Sequence, residues 1–201
     1  MTIAQLFDSA LSVFGVRTAE EPHYDIVERI GEVEIRRYGP RLAAETIIAS
    51  GDNAMNEAFF ILAGYIFGSN QKKQDIAMTA PVGIDRSQEI AMTAPVAMES
   101  VQGALTMRFF LPASFSLGNA PEPNDKRVKL VPIGEETLAA LRYSGTWSEE
   151  TRKQEERKLI AALQVSRWQA NGEPFTQLYD PPFTISFLRR NEVAVRVAPR
   201  S

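Results

Sequence analysis

"RLAAETIIASG" (residues 41–51) and "TLAALRYSG" (residues 137–145) are two versions of one phrase. Each is a β-prone apolar run that ends in Ser-Gly, and each leads into a stretch with helical spacing. The first leads into "SGDNAMNEAFFILAGYIFG" (50–68), which reads as a helix capped by Ser50 or Asp52 and closed by Gly68. After the second, Thr146 and Glu149 form a T-x-x-E capping box that opens a helix to about Gln169, with Gly172 beyond it.

Strands flank both helices. "YDIVERIGEVEIRRY" (24–38) alternates around Gly31 and predicts a hairpin with strands near 24–29 and 33–38, and 41–49 continues as a strand. Further strands are expected at 104–112, 127–133, 137–145, 176–180 and 192–197, with one long loop at 113–126. Each half therefore reads strand–strand–helix–strand–strand, in pseudo-repeats of about 24–112 and 127–197. The expected fold is α+β and internally duplicated, with two main helices on a mostly antiparallel sheet. Residues 21–201 form that domain. Residues 1–20 form an amphipathic helix through Ile3, Leu6, Phe7, Ala10, Leu11 and Phe14, docked on the domain, on a partner subunit or on a membrane surface.

"QDIAMTAPV" (74–82) returns as "QEIAMTAPV" at 88–96. Alternation places Ile76, Met78, Ala80 and Val82 on one strand face and Ile90, Met92, Ala94 and Val96 on another. With "GIDRSQE" as the hairpin loop, Val82 lies opposite Ile90 and large side chains meet small ones. Methionine in such a strand fills a core, or offers a thioether to heme iron.

The 201 residues suit one domain, and a net charge of −3 with scattered Lys and Arg carries no nucleic-acid signature. The absence of cysteine excludes disulfides, thiolate metal sites and cysteine nucleophiles. The N-terminus lacks a basic n-region, and no run approaches the length of a membrane span, so the expected location is cytoplasmic. No P-loop, G-x-S-x-G, H-E-x-x-H or dinucleotide glycine motif appears, and no enzyme is expected. Glu192, in "RRNEV", is either a base facing a central cavity or a surface charge.

The first helix carries a surplus of apolar residues. Met55, Ala58, Phe59, Leu62 and Ile66 form one stripe for a sheet; Phe60, Ala63 and Phe67, with Asn56, form a second roughly 100° around the axis. The second stripe needs its own cover: the long loop, another subunit or a flat hydrophobic ligand.

The doubled "IAMTAPV", the upstream "EPHYDIVERIGEVEIRRYGPRLAAE" and the closing "YDPPFTISFLRRNEV" together resemble the SOUL heme-binding protein family, from about Glu21 to Val197. The resemblance implies a distorted antiparallel β-barrel of two pseudo-symmetric halves, similar to effector-binding domains. It also implies reversible binding of heme or another porphyrin in a shallow apolar groove, as carrier, buffer or sensor. The helix and the "DPPF" turn border that groove, so Asn56, Phe59, Phe60, Ala63 and Phe183 inherit a contact role, joined by Phe67 from the same stripe. Residues 52–68 contain no Lys or Arg, whereas the resemblance implies basic side chains there for the propionates. Lys72, Lys73, Arg189 and Arg190 are the substitutes. His23, the sole histidine, is the candidate axial ligand, with the five tyrosines as alternatives. Two other readings stay open: a protein-interaction or homo-oligomerisation module without heme, and a small-molecule effector pocket with Glu192-based hydrolysis.

Overall fold

The computed structural model describes residues 20–71, 82–85, 103–146, 148–180 and 184–200. The first nineteen residues, most of the twin octaves and Phe183 lie outside them. Among the described residues, ten strands and two α-helices make an α+β fold: β1 (Tyr24–Ile30), β2 (Val33–Tyr38), β3 (Arg41–Ala49), α1 (Ala54–Ile66), β4 (Val82–Asp85), β5 (Ala104–Phe110), β6 (Lys129–Ile133), β7 (Glu136–Tyr143), α2 (Glu149–Gln164), β8 (Trp168–Ala170), β9 (Phe175–Leu178) and β10 (Asn191–Pro199). Every strand pairing is antiparallel, in the order β1-β2-β7-β10-β9-β4-β5-β3-β6, with β8 paired to β10. The expected barrel does not close. The order ends on β1 at one edge and β6 at the other, and no pairing joins them among the described residues.

Outward from the β4–β9 seam, the order reads β4, β5, β3, β6 on one side and β9, β10, β7, β2 on the other. The strand before each helix (β3, β7) thus occupies the same place in its half, and β2 and β6 each cross to the opposite half.

Cross-strand partners share a face, and the register chain Val193↔Thr176↔Ile84↔Met107 shows that both helices lie on one face of the sheet. There, α1 packs Ala58, Leu62 and Ile66 against Leu42, Ala44, Met107 and Phe109. In the other half, α2 packs Leu159 and Leu163 against Ile35, Ala139, Val193 and Val195. Such alternation makes one face of each strand an apolar floor for a helix.

Local chemistry sets the helix ends. Neither Ser50 nor Asp52 caps α1; Asn53 holds the N-cap position without a side-chain bond to the backbone. Gly68, at φ +94°, closes the helix as expected. Its N–H donates to Tyr65 O, and Ser69 N–H donates to Gly64 O, so carbonyls of the last turn find partners where only glycine turns comfortably. For α2 the cap is Ser148, not Thr146: its Oγ accepts from Thr151 N–H at 3.2 Å. The helix also stops five residues earlier than expected, at Gln164, because Trp168–Ala170 pair with Val197–Pro199 as a strand. On its exposed side, Lys153 pairs with Glu149 at 2.8 Å and Arg152 with Glu156, the expected i,i+4 spacing.

One expectation about the octaves fails. Val82–Asp85 form a strand with both edges filled: Val82 lies opposite Phe109 of β5 and Leu178 of β9. Val82 therefore cannot pair with Ile90, and Gly83–Asp85 belong to the sheet rather than to a hairpin loop. The remaining octave residues lie outside the described set.

The cap assignment is testable by chemical denaturation. Ser148→Ala should cost about 1 kcal/mol, while Thr146→Ala should leave the unfolding midpoint unchanged.

Candidate functional site

The opposite face of the sheet is charged. The register chain Glu192↔Gln177↔Gly83↔Arg108↔Glu45 runs across it, with Arg36, Tyr38, Glu136 and Arg196 alongside. Its centre is Glu192, which is fully buried. Arg36 clamps that carboxylate with Nη1 to Oε2 at 2.6 Å and Nη2 to Oε1 at 3.1 Å. Arg190 Nε donates to Oε1 at 2.9 Å, and Tyr179 Oη donates to Oε2 at 3.0 Å.

Burial works against the charge on Arg36, but hydrogen bonds and charge from Glu192 outweigh it and hold the guanidinium more firmly protonated than usual. The same balance raises Arg190. Burial first, then the Glu192 charge, pushes the Tyr179 phenol well above its ordinary value. Glu192 is therefore neither a base at a cavity nor a surface charge. Both of its oxygens are occupied, and a proton acceptor needs one to spare.

Arg190 is committed to the same cluster. Besides Glu192, it holds Glu21 at 3.1 Å and lies 3.7 Å from the Tyr179 ring centre. Its supply of a propionate partner would break this network. Arg189 donates from Nε to Thr184 O at 2.7 Å. The cavity on the charged face is only about 20 Å³. That holds water, whereas ligand sites for drug-sized molecules run to roughly 300–1,000 Å³.

The roomier place is on α1. A groove of about 570 Å³ is lined by Asn53, Asn56, Phe60 and Tyr65 of the helix side and by Asp125 and Arg127 of the loop before β6. The loop covers part of the helix: Tyr65 Oη donates to Pro121 O at 2.8 Å, and Ala120 and Val128 join the α1 core. It does not cover the second stripe. Phe60 is 72% exposed and Phe67 59%.

The stripe nevertheless differs from its helical-wheel prediction. Ala63 is buried in the core, along with Ile61 and Tyr65, and Phe59 is half-buried with its ring edge-on to Phe109 at 5.5 Å. The structure thus gathers Asn56 and Phe60 at the groove, sets Phe67 exposed just past the helix end, and keeps Phe59 and Ala63 beneath. Arg127, which the sequence reading missed, is the cation of the groove lining; it pairs with Asp125 at 2.7 Å and Glu57 at 3.5 Å. Its only signal in the sequence was a place at the end of the long loop.

Comparison with known proteins gives the family. A family model described as SOUL heme-binding protein matches residues 19–196. The chain belongs to the SOUL heme-binding protein family. The mouse protein named heme-binding protein 2 is 28% identical over 173 residues, which cover 84% of this chain and 80% of the mouse protein. Among solved structures, the EcmrR C-terminal domain superposes with a TM-score of 0.59 at 9% identity, covering 88% of this chain and 98% of that one. A chain from Listeria innocua described as a hydrolase superposes at 0.51 and 11% identity, covering 96% and 98%. At such identities these likenesses show a shared fold alone. No helix among the described residues is long and apolar enough to cross a membrane.

The residues of the groove fit a porphyrin in part. Exposed Phe60 offers apolar area, and Asn53, Asn56 and Arg127 offer donors at the rim. Among the described residues the lining holds no histidine or methionine, and its tyrosine hydroxyl is spent on Pro121. His23 has a side chain 94% exposed, 3.9 Å from Asp25, and is not part of the lining.

Two outcomes follow from these buried groups. Glu192→Gln removes the buried carboxylate that Arg36 and Arg190 share, leaving Glu34 and Glu21 as their remaining acidic partners, and should cost roughly 3–5 kcal/mol in denaturant unfolding. Tyr38 and Tyr143 are each pushed up to about 12 by burial. The unfolded chain ionises these phenols near pH 10 and the folded chain resists, so folding stability should fall between about pH 10 and 12. Equilibrium unfolding across that range, repeated for Tyr143→Phe, measures it.

Proposed function

We propose that this protein binds heme or a related tetrapyrrole reversibly on the exposed face of α1, as a carrier, buffer or sensor. The observation that carries this reading is the pair Phe60 and Phe67, left open beside a 570 Å³ groove on a helix whose other side is already packed. Contiguous apolar area beside a groove marks interaction sites, whereas singly exposed apolar residues are ordinary. Membership of the SOUL family supports a tetrapyrrole as the partner.

In this reading Phe60, Phe67 and Asn56 contact the ligand directly, with Phe59 and Ala63 supporting them from below. Arg127 takes over the anionic side groups from Arg190, exchanging its Asp125 partner for a carboxylate. Arg189 and Phe183 stay as candidates on the family resemblance alone. The macrocycle rather than the metal supplies the recognition, since the described lining is Phe60 and Ile61 with a polar rim of Asn53, Asn56 and Arg127. No catalysis is proposed, because Glu192 is saturated by Arg36, Arg190 and Tyr179. The protein is proposed to act in the cytoplasm without nucleic acid. The strand order also supports an origin in two duplicated halves, with the groove on the first of them.

Titration with hemin and with metal-free protoporphyrin tests the reading. Both should quench tryptophan fluorescence saturably, with affinities within a few-fold of each other. Phe60→Asp should weaken both by about tenfold or more, the worth of one buried aromatic side chain, without loss of stability. His23→Ala should change neither. Binding that survives Phe60→Asp, or that requires iron, contradicts the reading. An oligomer that dissociates on Phe60→Asp, with no porphyrin bound by wild type, would instead make this face a subunit interface.

A further inference from the structure

The charged face of the sheet contains an internal site independent of the α1 groove. Gln177, on β9, is 1% exposed, yet neither its Oε1 nor its Nε2 has a hydrogen-bond partner among the described residues. It lines the cavity of about 20 Å³, together with Arg108, Glu136 and Arg196, between the rings of Phe110 and Phe175. Nearby, Arg41 gives Nη2 to Glu136, while its Nε and Nη1 are also buried without partners.

Buried polar atoms in folded proteins are satisfied in the great majority of cases, by protein or by ordered water. An amide with both ends orphaned at a cavity wall is a strong exception, because each end alone costs about 1–3 kcal/mol. The cavity exceeds the roughly 10–15 Å³ that one water molecule requires, and the lining offers more than two polar partners. The guest must also both donate and accept. A monatomic anion would satisfy Nε2 but leave Oε1 orphaned, and a cation would do the reverse.

We infer that this cavity is a binding site for one ordered water molecule, which donates to the Gln177 amide oxygen and bridges β9 to the arginine–glutamate pairs of β5, β7 and β10. Arg108 stands on the α1 side of the β4–β9 seam, and Glu136 and Arg196 on the α2 side. The water therefore ties together the two halves of the sheet where the strands alone meet edge to edge.

The direct readout is a magnetisation-transfer measurement on wild type, looking for a long-lived water cross-peak to the Gln177 side-chain amide protons. A cross-peak with residence beyond a nanosecond supports the site; its absence overturns it whatever else is found. Gln177→Met keeps the volume and removes both polar ends. Its melting temperature should fall by roughly 2–6 °C, and the water should vanish from its crystal structure. A rise in melting temperature would mean that the amide had no partner to lose, and would overturn the inference. Bromide density at the site in crystals grown with that ion would overturn the choice of a neutral guest. Should the variant not fold, the wild-type measurement still decides.

Discussion

The Glu192 carboxylate, closed off by Arg36, Arg190 and Tyr179, is the constraint on which the functional reading depends. An antiparallel sheet offers two faces, and here one is given to the helices. The other would be the natural wall of a ligand chamber. Instead its charged side chains neutralise one another: Arg36 and Arg190 on Glu192, Arg41 and Arg196 on Glu136, and Arg108 on Glu45. Such clusters add little net stability compared with well-packed apolar side chains, but they are costly to break. The cavity lined by Gln177, Glu136 and Arg196 measures about 20 Å³, and the proposed binding face is accordingly the outside of the helix layer.

On that layer the two helices differ for a reason visible in their composition. The first turns of α2 carry opposite charges that pair with each other, and its Leu159 and Leu163 are spent on its own core. Helix α1 has no such polar face. Its buried side is full, its flank is sealed by the loop through Tyr65 and Pro121, and Phe60 and Phe67 are left over. The asymmetry between halves of similar strand order is why the first half is the one proposed to bind.

Much of this was legible in the sequence. The repeated Ser-Gly phrase located both helices and their preceding strands, since apolar alternation and glycine stops act locally. The doubled octave was misleading. Equal spelling suggested that the two copies pair, but the edges of Val82 are taken by β5 and β9, a choice set by tertiary packing. The end of α2 was misjudged because Trp168 gains a strand partner in β10 that no local pattern announces. Phe60 and Phe67 were recognised as surplus, whereas Ala63 was not recognised as core: a small residue gives no periodic signal of its own. Arg127 and Gln177 were invisible, because their significance comes from neighbours that other helices and strands bring to them, such as Glu57 and Arg108.

The central claim is that a tetrapyrrole occupies the α1 groove and leaves the charged face of the sheet untouched. Backbone amide chemical shifts, recorded while diamagnetic protoporphyrin is added, test this most directly. Changes confined to residues 53–69 and 125–127, with Gln177 and Glu192 unmoved, are the expected result. Changes centred on Gln177 and Glu192, or none at all at saturating porphyrin, would contradict it.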